Sequence, residues 1–521
     1  MRYGFVIDHR KCIGCHACTV ACKSENEVPL GTFRTWVKYI EKGQYPDTRR
    51  YFSVLRCNHC DNAPCITICP VTALFRRDDG IVDFNGDRCI GCKSCMQACP
   101  YDALYINPDT NTAEKCNYCA HRVEARLEPA CVIVCPVQAI VSGDVDDPTA
   151  KIARLIAGEQ TQVRKPEAGT LPKLHYIEAD QAALRPTEQT HLGGYLWSEI
   201  RMDPVMMNEQ ALSDADARAR TTYDVSHDRP WGINVSSYLW TKSISAGCFA
   251  LSALGLGLGF VERRDLHHWL LDAAAPQLAL LFLAATLALL VADLKRPERF
   301  WRILLTPQWK SWLVIGGYIL MVYGALLIAY ILLPYALSRE GIRRIMPFVL
   351  WGGGISAALA AVYSAFLFKQ ARGRVFWHST LTPLHLLVQA LVAGAAVLMA
   401  VAALESLVSG RLLGASPGWD FLYFEFIGAL VAHGVLMGGE LFMPEEHIER
   451  QRAARLITRG LFSKLFWSGA VILGVILPLI SLASLAAMNS VIALLASLLA
   501  LAGLFIWEHV WVQAGQAVPL S

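Results

Sequence analysis

Cys12-Ile13-Gly14-Cys15-His16-Ala17-Cys18-Thr19-Val20-Ala21-Cys22 and Cys89-Ile90-Gly91-Cys92-Lys93-Ser94-Cys95-Met96-Gln97-Ala98-Cys99-Pro100 share one spacing, C-x2-C-x2-C-x3-C. Two further runs stretch one gap. Cys57, Cys60, Cys65 and Cys69 read C-x2-C-x4-C-x3-C, and Cys116, Cys119, Cys131 and Cys135 read C-x2-C-x11-C-x3-C. Sixteen of the seventeen cysteines stand in these four groups, all within the first 135 of 521 residues. Three cysteines two residues apart let a short loop wrap one iron–sulfur cubane, and the x3 step carries the chain toward a second. A proline follows Cys69, Cys99 and Cys135 and turns the chain beside the cluster, whereas Lys23 follows Cys22. At four thiolates per cluster, sixteen make four [4Fe–4S] clusters with none left over. Zinc sites call for ligands in two pairs rather than recurrent runs. A disulfide framework needs an oxidising setting, and Met1-Arg2-Tyr3-Gly4 opens the chain without a signal peptide. The pattern is that of an electron wire.

Composition divides the chain. It is 54% hydrophobic, too apolar for two ordinary soluble domains. Residues 1–232 are polar and mixed in charge, while 235–515 is a series of long apolar runs. Eight spans are expected near 236–260, 275–294, 311–333, 348–368, 384–407, 420–442, 465–488 and 490–512. Each has enough apolar residues to cross the hydrocarbon core as a helix. The expected fold is an α+β, bacterial-ferredoxin-like tetra-cluster domain over 1–145, an extended tail and linker over 146–234, and an all-α membrane domain of about eight transmembrane helices over 235–515. Pro148, Pro166, Pro172, Pro186, Pro204 and Pro230 break any long element in the linker, where Lys151–Gly158 is expected as a short helix. The lone Cys248 lies in the first span and reads as a packing residue. The formal net charge of +3 gives no support for a nucleic-acid partner, and no glycine-rich phosphate loop, flavin motif or serine/histidine/aspartate signature stands out.

The loops between spans assign a side. The side that carries the cluster domain has Lys295, Arg296, Arg299, Arg302, Lys310, Lys369, Arg372, Arg374, Arg450, Arg452, Arg455, Arg459 and Lys464. The other side has Arg263, Arg264, Arg339, Arg343, Arg344 and Arg411. Thirteen against six puts the cluster domain on the cytoplasmic face of a bacterial inner membrane by the positive-inside rule.

The cysteine part, from Cys12-Ile13-Gly14-Cys15-His16-Ala17-Cys18 to Cys131-Val132-Ile133-Val134-Cys135-Pro136, resembles the four-cluster electron-transfer subunit of complex iron–sulfur molybdoenzymes of the DMSO and polysulfide reductase type. The membrane part is similar to the polysulfide-reductase membrane subunit (NrfD) family, on Asp293-Leu294-Lys295-Arg296-Pro297-Glu298-Arg299-Phe300-Trp301. In most such complexes these are two polypeptides, so their fusion here is a departure. The resemblance implies one cluster on Cys12, Cys15, Cys18 and Cys135, and another on Cys22, Cys116, Cys119 and Cys131. It implies a third on Cys57, Cys60, Cys65 and Cys99, and a fourth on Cys69, Cys89, Cys92 and Cys95. The same crossing follows from the two-ferredoxin pattern, in which each fourth cysteine serves the other cluster of a pair. The Cys69 cluster would lie nearest the membrane and the Cys12 cluster nearest a partner.

A wire in a membrane needs a carrier at that end. The one stretch that fits a C-x-x-C-H haem motif, Cys12-Ile13-Gly14-Cys15-His16, has both its cysteines in the first cluster run, and there is no clear transmembrane histidine pair for two b haems, which leaves quinone. Its two-electron, two-proton chemistry needs polar groups at the membrane edge, and such groups are costly in a bilayer unless functional. Asn234, Tyr238 and Lys242 form one stripe at the start of the first span. Asp293 closes the second, His385 and Gln389 open the fifth, and Glu440 ends the sixth, with His433 deeper. Tyr238 or Asn234 is expected to donate to a quinone carbonyl and His385 or Asp293 to handle protons, with Lys242 pairing Asp293 or Glu440. The plainer readings are that Asn234 caps its helix, Tyr238 anchors at the interface, Lys242 snorkels and His433 bonds a neighbouring helix. Glu405 and Glu425 lie toward the far side.

These readings converge on a membrane-anchored subunit that relays electrons between quinone and a molybdenum or tungsten bis-pterin catalytic partner. It has no substrate site of its own beyond quinone. The alternative is a quinol-to-cytochrome relay as in alternative complex III, with or without coupled proton translocation.

Overall fold

Tyr3-Gly4-Phe5-Val6-Ile7-Asp8 is buried along almost its whole length and forms a central strand. It pairs antiparallel with Ile140–Asp144, Phe5 facing Ser142, and parallel with Leu174–Ile177, Phe5 facing Leu174. Thr161–Gln162 completes this four-stranded sheet at its edge. A second sheet is built on the hairpin of Thr35–Gln44 and Asp47–Arg56, extended by Ala219–Tyr223 and Gln189–His191. The computed structural model describes residues 1–191, 219–410, 413 and 416–521, apart from residues 45, 263, 264, 266, 445 and 484–488.

Residues 146–191 and 219–234, expected as tail and linker, thus supply strands to both sheets. Leu174–Ile177 is only four residues long, too short for its alternation to stand out in sequence. Parallel pairing with the first strand is a non-local contact that period alone does not show. The helix Lys151–Gly158 forms where expected. The rest of the linker, 192–218 with Pro204, lies outside the described residues, as do Arg263, Arg264 and Arg411.

The two identically spaced cysteine runs fold alike. Gly14 and Gly91 take φ of 70° and 69°, and His16 and Lys93 take φ of 59° and 62°, each just before a helix, Ala17–Glu25 or Ser94–Ala98. Positive φ at both glycines curls the loop so that consecutive cysteines face one centre.

Among the described residues, eight helices are long and apolar enough to cross a membrane: Ile233–Gly257, Leu270–Ala292, Trp312–Ala336, Arg339–Gln370, Thr382–Ser409, Pro417–Phe442, Leu465–Ala483 and Ser490–Ala517. They fall on the eight expected spans. The first and fifth are mostly buried, and the others turn much of their surface outward. The two inner helices meet at Gly247 and Gly394, where a Cβ on Gly247 would come within 1.7 Å of the Ala390 carbonyl oxygen. Small residues at such crossings replace the hydrophobic drive that lipid does not supply. Cys248 sits beside this crossing in the apolar core, as a packing residue.

The cluster domain is seated on the membrane domain by backbone contacts. The N–H groups of Lys295, Arg296, Gln308 and Gly373 donate to the carbonyls of Gly91, Ile90, Pro70 and Gln97 at 3.0–3.2 Å. Arg299 Nη1 donates to the carbonyls of Gly86 and Cys89 at 2.8 and 2.9 Å, and Ser311 Oγ to that of Ile68 at 2.7 Å. Leu367 of the fourth span shares one apolar core with Ile68, Ile90 and Ala98.

The segment entering the first span is tied down by His227, whose Nδ1 lies 2.8 Å from Asp102 Oδ2. Burial alone would lower the basicity of this imidazole, but Asp102 and Asp224 outweigh it and raise its pKa to about 10. Its bonded, charged form is therefore favoured by folding. The resulting stabilisation is fully present below the unfolded value of 6.5 and declines as pH rises from there to about 10. The melting temperature of the purified protein should fall across that window, and Asp102→Asn should flatten the slope.

Candidate functional site

Side chains distant in sequence meet in four groups of cysteines. Burial pushes the thiol of Cys22 up, and the next contributions come from Cys116, Cys131 and Cys119. Cys12, likewise raised by burial, feels Cys135 and Cys15. Cys65 feels Cys99, Cys57 and Cys60 after burial, and Cys92 feels Cys69 and Cys89. Cys95 adjoins Cys92, Cys89 and Cys69. Electrostatic influence also runs between groups, from Cys131 to Cys18 and from Cys57 to Cys116, so the groups are neighbours.

The surroundings of these thiols suit cubanes. A cavity of about 270 Å³ is lined by Cys22, Cys116, Cys119 and Cys131, and another of about 370 Å³ by Cys69, Cys89, Cys92 and Cys95. Among the described residues, no three histidine, cysteine, aspartate or glutamate side chains converge tightly enough for a single metal ion. Backbone N–H groups already aim at sulfur: Ala73 at Cys69, Gly91 and Ala113 at Cys89, and Ala139 at Cys135, all at 3.2–3.4 Å. Such donors stabilise thiolate and reduced cluster alike.

The groups run from one surface to the membrane. Cys15 is exposed, with Cys12 and Cys135 half-buried, on a face that also bears exposed Ile13, Val20 and Ile133. At the opposite end, Lys93 follows Cys92 and its Nζ lies 2.9 Å from the carboxylate of Asp293, at the end of the second span. Burial raises the Asp293 carboxyl above its ordinary range, and Lys93 opposes that rise.

The membrane-edge residues divide into two joined clusters. In the first, Tyr238 lies beside Tyr363 and Ser364 with Asp293 and Glu508 near it. Lys242 does not pair with Asp293 or Glu440. Its Nζ donates to the Ala361 carbonyl at 2.8 Å and to Ser364 Oγ at 2.9 Å, because Asp293 is engaged by Lys93 and Glu440 by His385. Nor does Lys242 snorkel, being fully buried. Asn234 is half-buried one residue inside the helix, whose N-cap is Gly232, so it does not cap. In the second cluster, His385 Nδ1 lies 3.1 Å from Glu440 Oε2 and its Nε2 lies 2.9 Å from His433 Nδ1. Thr382 Oγ1 donates to Glu440 Oε1 at 3.2 Å. A cavity of about 240 Å³ is lined by Thr382, His385, Gln389, Glu440, Trp507 and Glu508.

Glu508 joins the two, accepting from Ser243 Oγ at 3.3 Å and acting on Lys242. With its side-chain amide turned to suit its neighbours, Gln389 donates to Glu508 at 3.2 Å and accepts from Trp507 Nε1 at 3.0 Å. Glu508 is not among the residues expected from sequence, although a carboxylate within Leu504-Phe505-Ile506-Trp507-Glu508-His509-Val510-Trp511 is a signal of the kind that picked out Glu440.

The model of the family described as Polysulphide reductase, NrfD, matches residues 222–519, more than half of the chain. The chain belongs to the NrfD family. Ahead of the NrfD part, a 4Fe-4S dicluster domain matches residues 48–145 and a 4Fe-4S binding domain matches residues 10–28. The cluster half is 45% identical over 204 residues to the B subunit of tetrathionate reductase from Salmonella typhimurium, covering 38% of this chain and 81% of that one. The B subunit of polysulfide reductase from Wolinella succinogenes is 43% identical over 181 residues, covering 34% and 94%. The putative dimethyl sulfoxide reductase iron-sulfur B subunit of Halobacterium salinarum is 35% identical over 263 residues, covering 44% and 96%. Each relative is matched over most of its own length by less than half of this chain, so in this NrfD protein an iron–sulfur electron-transfer module of the reductase type is continuous with a multi-pass membrane domain.

The Lys93–Asp293 pair is one of the salt bridges across the seam between the two halves, with Lys165–Glu449 another. Lys93→Ala leaves the Asp293 carboxylate mostly buried and unpaired, which should cost roughly 3–5 kcal/mol. Removing both partners should cost less than either single change, and thermal unfolding of the four proteins in a double-mutant cycle would measure the coupling.

Proposed function

We propose that this NrfD protein relays electrons between quinone and a molybdenum or tungsten bis-pterin catalytic subunit through four [4Fe–4S] clusters. The observation that carries the reading is the run of cysteine groups from exposed Cys15 to Lys93, whose salt bridge to Asp293 ends at the polar cluster around Tyr238. The ligand sets are those named above, each joining three cysteines of one run with one from another or the reverse. In such a cluster iron and sulfide supply one-electron chemistry, and the thiolates and nearby N–H groups hold it and set its potential. The exposed face with Ile13, Val20 and Ile133 suits a protein partner, and the reductase relatives support a catalytic subunit there.

At the membrane edge, Tyr238 and Asn234 would donate to a quinone carbonyl. Asp293 would exchange protons near Lys93, while His385, Glu440 and Glu508 would store or pass them on. Iron and acid-labile sulfide should each come to about sixteen per chain, at four per cluster. Tyr238→Phe should slow quinone-linked turnover while leaving the iron content and the reduced-cluster EPR spectrum unchanged; unaltered turnover would remove Tyr238 from the site.

Orientation rests on the basic loops. Arg296, Arg299, Arg302, Arg374 and Arg452 donate to Thr110, Cys89, Asp87, Gln97 and Thr187 respectively, so docking accounts for five of the thirteen. Eight then remain against six, still in favour of a cytoplasmic cluster domain in a bacterial inner membrane. Protease added to sealed spheroplasts should spare the cluster domain, and its digestion from outside would reverse the assignment.

A further inference from the structure

Arg56 ends the strand Asp47–Arg56 and immediately precedes Cys57. Its side chain is 1% exposed, and among the described residues no carboxylate forms an ion pair with it. Nη1 donates to Cys131 Sγ at 3.0 Å, and the guanidinium lies 4.6 Å from the Phe5 ring centre. Nε and Nη2 are buried and have no hydrogen-bond partner. Burial opposes the charge, and the groups that offset it are the thiols of Cys131, Cys116 and Cys18. Arg56 also lines the 270 Å³ cavity with Cys22, Cys116, Cys119 and Cys131.

A permanently charged guanidinium with two orphaned donors is not stable in a dry protein interior without an anion to receive them. Other buried cations of the cluster domain have acceptors. Lys93 pairs with Asp293, Arg34 with Glu114, and Lys115 Nζ donates to the carbonyls of Val82 and Cys116. Among the described residues the Arg56 side chain hydrogen-bonds to sulfur alone, and an anionic iron–sulfur cluster in that cavity would supply the missing acceptors.

We infer that Arg56 tunes the cluster held by Cys22, Cys116, Cys119 and Cys131, its Nε and Nη2 donating to that cluster's sulfurs and its charge favouring the reduced form. The inference rests on that quartet binding one [4Fe–4S] cluster. Reduction adds one electron, delivered by a neighbouring cluster, and no bond is made or broken. No proton moves, because arginine stays protonated. A cation in a low-dielectric site beside the added charge raises the reduction potential, as do N–H donors to the sulfurs. Arg56 is thus a positioning and tuning residue, one step inward from the exposed Cys12 group.

EPR-monitored redox titration of the full chain purified from membranes, with iron analysis alongside, tests this. In Arg56→Gln the midpoint of one cluster should move to more negative potential by clearly more than that of any other, the neighbouring Cys18 cluster shifting less. Arg56→Lys, which keeps the charge, should show a smaller shift. Unchanged midpoints in both variants with full iron content would overturn the inference, as would an equal shift of every cluster. Pulsed EPR of the wild-type protein labelled with guanidino-¹⁵N arginine does not depend on how the variants fold. A nitrogen coupling to one reduced cluster that disappears in Arg56→Lys is expected, and its absence from the wild type would equally overturn the assignment. A wild-type iron content well below about sixteen would instead remove the four-cluster reading, at four irons per cluster.

Discussion

The cysteine loops that face the membrane domain, around Cys69 and from Cys89 to Cys99, have one set of backbone groups and two demands on it. N–H groups at Ala73, Gly91 and Ala113 turn inward to sulfur, and carbonyls at Gly91, Ile90, Pro70 and Gln97 turn outward. Outward carbonyls buried under another domain must find donors. The membrane domain supplies them from Lys295, Arg296, Gln308 and Gly373 and from the side chains of Arg299 and Ser311. Cluster loop and membrane domain therefore complete each other. Gly91 shows how close the fit is, since a Cβ there would come within 2.5 Å of Lys295 Cβ.

That seating has an electrical consequence. The Cys69, Cys89, Cys92 and Cys95 group is held against the end of the second span, where Asp293 meets Lys93 and lies near Tyr238. Tunnelling falls steeply with distance, so a rigid backbone seam would serve the proposed electron relay at this edge better than a mobile tether. The polar network beyond it is costly in a bilayer. Its groups answer one another instead of facing lipid: His385 with Glu440 and His433, Gln389 with Glu508, and Lys242 with Ser364. The basic loops that suggest an orientation are partly explained by the same seam, because an arginine bonded to a cluster-domain carbonyl has a structural role whichever side it occupies.

Much of the architecture was legible because two signals in this chain are strong and local. Cysteine spacing encodes which thiols a short loop can bring to one centre, and twenty-residue apolar runs encode spans almost irrespective of their neighbours. The linker was less legible. Leu174–Ile177 and Ala219–Tyr223 are short segments whose strand character depends on partners more than a hundred residues away. Lys242 was assigned to the wrong acceptors for a related reason. Its position on the helix stripe was correct, but which carboxylates remain free to meet it is settled by Lys93 and His385, on other elements.

What the sequence by itself determined is the chemistry: sixteen thiolates in runs that no other common site uses, a chain too apolar for water alone, and polar residues at one membrane edge. What only the tertiary structure decided is adjacency. It sets Lys93 on Asp293, ties Glu508 to Gln389 and Ser243, and leaves Arg56 facing sulfur with no carboxylate paired to it among the described residues. The reason is physical. Ligand type and hydropathy are properties of single residues and short windows, whereas the partner of a buried charge is set by which elements pack around it.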